Sequence, residues 1–180
     1  KKEFEKAGEI KRQIFSLHHI NDIALLKNSF QPETSNLKPD FRIESYDIAH
    51  MSGKNMVGVM TVVENGEVAK SEYKKFKIRT QSGSNDTGAL KEVLERRLAH
   101  SEWTYPNLVV VDGGVAQMNV AKRLMSRSNL DIPVVSVVKD DRHKPKAILG
   151  DKKTGLKYEK EILLANSEAH RFAIAYHKKL

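Results

Sequence analysis

Leu108–Gln117, LVVVDGGVAQ, is the stretch whose reading decides the fold. Four consecutive apolar residues suit a short strand buried on both faces, the place a parallel strand takes between covering helices. Asp112 follows at once, and an ionised carboxylate there would destabilise the strand unless it lay at the strand end with a partner. Gly113 and Gly114 then permit close backbone approach and an immediate helix start, and AQMNVAKRLMSR supplies the helix. The plainer reading is an Asp that merely caps that helix, with the two glycines as an ordinary turn.

Upstream the period is two. Phe41–His50 alternates Phe41, Ile43, Ser45 and Asp47 against Arg42, Glu44, Tyr46 and Ile48, and Asn55–Ile78 reads as two β-rich runs joined by Asn65-Gly66, a strong hairpin signal. These predict three antiparallel strands. Asn85–His100 places Ala89, Leu90, Val93, Leu94 and Leu98 on one helix face, with Asn85 or Asp86 as cap. Downstream, IPVVSVV is a second short apolar strand, and AILGDKKTGLKYEKEI reads as an excursion or hairpin beside the sheet. A closing helix is expected to start at an Asn166 or Ser167 cap and to bury Ala169, Phe172, Ala173 and Tyr176. With right-handed crossovers, the order predicts an α/β mixed sheet of three antiparallel strands, then parallel additions, flanked by helices. This is the ribonuclease H-like arrangement, although the order alone also fits other α/β folds. In that arrangement the first strand lies beside the one ending at Asp112.

Lys2–Lys27 forms an amphipathic pattern with a narrow apolar stripe of Phe4, Ala7, Ile10, Ile14 and Leu17, followed by a polar, Pro-punctuated linker. The domain boundary is expected near Pro39. The chain has 180 residues, no cysteine and a formal charge of +8, with a pI near 9.5. Neither a disulfide framework nor a cysteine zinc site is available. The apolar runs are too short to span a membrane, so a cytoplasmic location is expected. The basic balance favours a polyanionic partner, although solubility alone also accounts for it. The start at Lys1 reads as an excised piece of a longer protein.

Side-by-side strands would bring Asp47 and Asp112 together, and two carboxylates that close repel unless a cation lies between them. Oxygen ligands without cysteine suit Mg²⁺ or Mn²⁺, ions that serve phosphoryl transfer. His170, expected in the first turn of the closing helix, would be kept neutral by the macrodipole and so able to ligate metal or accept a proton. Arg96, Arg97, Lys139, Arg142, Lys144 and Arg171 are candidate phosphate contacts, and Asp140–Lys146 a loop bordering the substrate. Neither a P-loop, a GxGxxG turn nor a GxSxG elbow is present.

RIESYDIAH, NGEVAKSEYKKFKI, NDTGALKEVLERRL, VVVDGGVAQMNVA, VVKDDRHKP and SEAHRFAIAYH, in this order, closely resemble the C-terminal endonuclease half of the UvrC family of bacterial excinuclease proteins. The resemblance implies a ribonuclease H-like endonuclease of nucleotide excision repair that makes the 5′ incision. It implies an Asp-Asp-His site of Asp47, Asp112 and His170 holding Mg²⁺ or Mn²⁺, with Asp86 and Lys139 as auxiliary residues; Thr87 stands where an aromatic residue usually follows that acid. EFEKAGEIKRQIFSL looks like the second half of the UVR motif, which implies UvrB as a partner besides DNA. On this reading residues 1–38 are a partial UVR helix and linker and 39–180 the endonuclease domain. The alternative is a noncatalytic module of the same fold that docks on DNA or UvrB; a nearer one is a nuclease for RNA or deaminated bases.

Overall fold

The computed structural model describes residues 41–50, 56–80, 85–140 and 144–177. The amphipathic N-terminal segment, the boundary near Pro39 and Arg142 lie outside them. In chain order come β1 (Arg42–His50), β2 (Met56–Glu64), β3 (Glu67–Val68), β4 (Lys74–Lys77), α1 (Asp86–Leu98), β5 (Leu108–Asp112), α2 (Val115–Arg127), β6 (Val134–Lys139), β7 (Pro145–Leu149), α3 (Lys152–Lys157) and α4 (Glu159–His177).

The strands form one mixed sheet ordered β3-β2-β1-β5-β6-β7, with β4 also pairing to β2. β1 runs antiparallel to β2 and parallel to β5, and β5 parallel to β6. Parallel pairing needs crossover connections, and α1 and α2 provide them.

Asn65 and Gly66 both hold positive φ, 51° and 83°, as a tight hairpin turn requires. The expected third strand is interrupted: β3 stops after two residues, and one turn of 3₁₀ helix at Lys70–Glu72 intervenes before β4. That turn presents Glu72 to Arg42 and leads into Tyr73, whose hydroxyl donates to Glu168 at 2.9 Å. β5 and β6 are the expected parallel additions, and β7 pairs antiparallel with β6 as a hairpin at the sheet edge, one of the two forms expected of the excursion that follows. The short loop explains this: the Asp140 N–H donates to the Lys144 carbonyl at 2.8 Å, too tight a turn for a crossover. Lys144, Pro145 and Lys146 are exposed on this edge, where charge and proline discourage pairing with another chain.

Strand alternation divides the core between the two sheet faces. Tyr46, Val109 and Val111 pack with Ala89, Leu90, Val93 and Leu94 of α1 and with Ala121, Leu124 and Met125 of α2. Val57 and Val59 meet Ala169 and Ala173 of α4 on the other face. α4 begins seven residues before the expected cap, so Asn166 lies in its interior, and α3 replaces part of the expected excursion. Of the residues expected to be buried by the closing helix, Ala169 and Ala173 are, while Phe172 is half-buried; the Tyr176 side chain lies outside the described set. Among the described residues no helix is long and apolar enough to cross a membrane.

Candidate metal centre

Asp47 lies near the end of β1 and Asp112 ends β5. The parallel register runs Ile43↔Leu108 through Tyr46↔Val111, so the two acids fall at the next step, on adjacent strands. Two-residue periodicity puts them on the sheet face that α4 covers. His170 of α4 lies across from them, its Nδ1 3.1 Å from Asp47 Oδ2. One ligand atom from each of Asp47, Asp112 and His170 lies within 4.8 Å of the others. Two hard oxygens and an imidazole nitrogen form a donor set that could hold a divalent metal ion.

Asp112 has two further partners. Lys139, at the end of the adjacent β6, donates from Nζ to Oδ2 at 2.8 Å, and Asn166 donates from Nδ2 to Oδ1 at 3.3 Å. The side chains of Asp47 and Asp112 are only 10% and 18% exposed, whereas His170 is 43% exposed, so the imidazole is the member facing solvent. The cleft continues over Ile48, Ala49, His50, Ala173 and Ile174 on one side of the acids. On the other side a recess is lined by Asp86, Leu90, Gly113 and Gln117. Gly113 makes this turn possible: its φ is +128°, and a Cβ there would lie 2.8 Å from the Gln117 side chain. Ser136 of β6 donates to the Gly113 carbonyl and anchors the turn from below.

The remaining sequence-predicted residues separate into groups. Asp86 is not the helix cap; Asn85 is, accepting from Gly88 N–H at 2.9 Å. Asp86 instead bonds His50 Nε2 at 2.6 Å beside the cleft, outside the three-residue cluster. Arg97 is not available to phosphate: at 1% exposure it grips Glu44 through Nε and Nη2 and donates to the Thr104 carbonyl. Arg96 is partly exposed but engaged with the Lys77 carbonyl at 2.8 Å, and Arg171 with Glu168. Lys144 is exposed at the β6–β7 turn. The first-turn argument for a neutral His170 fails, because α4 starts at Glu159. Sequence reading misses Asn166 and His50. Asn166 resembles a cap, and the pairing of His50 with Asp86 spans a separation no local pattern reports.

The family model of the UvrC RNase H endonuclease domain matches residues 32–174. UvrABC system protein C of Finegoldia magna is 37% identical over 82% of this chain and 27% of its own length. The Clostridium acetobutylicum protein of the same name is 36% identical over 77% and 26%, and that of Clostridium botulinum 33% identical over 98% and 33%. The chain thus spans about a quarter to a third of the curated relatives it matches. Among solved structures, Endonuclease V of Ciona intestinalis bound to inosine-containing DNA aligns at TM-score 0.43 and 14% identity, over 72% of this chain and 59% of that one. The family match takes in every element from β1 to most of α4, including both acids and the histidine, and the chain belongs to the UvrC RNase H endonuclease domain family.

Proposed function

We propose that this domain is a divalent-metal-dependent DNA endonuclease that makes the 5′ incision beside a lesion in bacterial nucleotide excision repair. The observation that supports this reading most is the convergence of Asp47, Asp112 and His170 at one cleft of a UvrC endonuclease domain. Asp47 and Asp112 would hold Mg²⁺ or Mn²⁺, with His170 as third ligand or proton carrier. When bound, the ion supplies Lewis-acid stabilisation of the phosphate and lowers the pKa of water. Asp47 orients the imidazole: an ionised carboxylate only accepts, so the hydrogen bond places a ring proton on Nδ1, and whenever the ring is neutral Nε2 is the nitrogen that carries the lone pair. Lys139 supplies a positive charge beside Asp112, and with the exposed Lys144 favours a phosphate backbone at this end of the sheet. Within the whole protein, UvrB is the proposed partner through the UVR-like segment.

Nicking of supercoiled plasmid by the full chain tests the reading. Mn²⁺-dependent conversion to the open circle, abolished by chelation, is expected. Metal-independent DNA binding with no nick would favour the noncatalytic docking module instead.

A further inference from the structure

Asn166 is 2% exposed and sits in the interior of α4, where it caps nothing. It lies four residues before His170, so both side chains rise from one face of the helix. Each meets a different acid: His170 Nδ1 is bonded to Asp47 Oδ2, and Asn166 Nδ2 donates to Asp112 Oδ1. A carboxamide this deep is unfavourable unless it is hydrogen-bonded, and Asp112 is the side chain it bonds. Its burial keeps it from touching DNA, and its neutrality lets it orient Asp112 without adding charge, unlike Lys139 on the other oxygen.

We infer that Asn166 is a positioning residue: it fixes the rotation of the Asp112 carboxylate, so that one rigid helix sets both acids of the centre. The inference rests on the proposed reading of Asp47, Asp112 and His170 as a metal site. Partners of this kind orient ligands, and their loss typically weakens metal binding about 10–100-fold.

Calorimetric titration of Mn²⁺ into the full chain tests it, comparing wild type with Asn166→Leu, which keeps the volume and loses the donor, and with Asp112→Asn. Asn166→Leu is expected to bind Mn²⁺ at least about tenfold more weakly. Its nicking should fall at low Mn²⁺ and return as Mn²⁺ is raised, with KM for DNA unchanged. Wild-type Mn²⁺ affinity in a folded Asn166→Leu chain overturns the inference. Should that variant melt, Asn166→Ser, too short to reach Asp112, carries the same expectation and the same overturning result. If Asp112→Asn abolishes Mn²⁺ binding and the Asn166 variant does not weaken it, only the positioning role falls. If Asp112→Asn also binds as wild type, the metal-site reading falls with it.

Discussion

Glu44 and Asp47 lie three residues apart on β1 and therefore on opposite faces of the sheet, and the two carboxylates are treated differently. Glu44 is 0% exposed. Arg97 holds it in a fork at 2.9 and 3.0 Å, Arg42 approaches at 3.3 Å, and the Tyr46 hydroxyl donates at 2.6 Å. Burial, and then the negative charge of Glu44, push the Tyr46 hydroxyl well above its ordinary pKa, so it stays a donor. Asp47 is also well buried, yet its side-chain partner is His170, and a second acid stands on the next strand. A buried charge matched on all sides is structural. Asp47 instead lines a cleft with Asp112 and His170, a group that could hold a metal ion, so the two faces of one strand set a closed ion cluster against an open one.

The largest effect should follow from breaking the closed cluster. Arg97→Met leaves Glu44 buried and uncompensated, and should cost about 3–5 kcal/mol in denaturant unfolding. Adding Glu44→Leu should recover much of that loss, since a matched apolar pair avoids the desolvation penalty. Failure of the double variant to recover would mean that the ion pair does more than satisfy its own burial.

Glu92 is an intermediate case and gives a smaller effect. Burial works to raise its carboxyl, but the Thr80 hydroxyl and N–H, the Arg79 N–H and the Arg96 charge outweigh it and leave the group below its ordinary value of 4.5. A depressed folded pKa means stability that is full above the unfolded value and lost as pH falls through the folded one. Glu92→Gln should therefore cost about 1.5–3 kcal/mol at pH 7, and the gap to wild type should close progressively below about pH 4.5. A gap independent of pH would show that packing, not charge, is what Glu92 supplies.

The same contrast explains what is legible in the sequence. Asp112 stands out because an acid at the end of an apolar run violates the local pattern and needs a reason, and Asp47 follows from it through the strand adjacency that the element order predicts. Asn65-Gly66 and the α1 apolar face are likewise local, and both are present as expected. Arg97 reads wrongly as a phosphate contact, although its spacing from Leu90, Val93 and Leu94 puts it on the buried face of α1. Charge type outweighs helical period in that reading, and the period is the better guide. The expected start of α4 falls too late because Asn166 and Ser167 carry a cap signature, while Asn166 spends its hydrogen bond on Asp112. Its role and that of Lys139 depend on residues 54 and 27 positions away, contacts that exist only once the sheet has formed.

Unfolding and Mn²⁺-dependent plasmid nicking, measured side by side in Asp112→Asn and Arg97→Met, separate the open cluster from the closed one most directly. Asp112→Asn, which relieves the repulsion with Asp47 and keeps a side-chain oxygen for Asn166, should lose much less stability than Arg97→Met and should lose nicking. Arg97→Met should lose several kcal/mol yet still nick at a temperature where it remains folded. If Asp112→Asn nicks like wild type, or loses activity only by unfolding, the assignment of this acid to a catalytic metal centre is wrong.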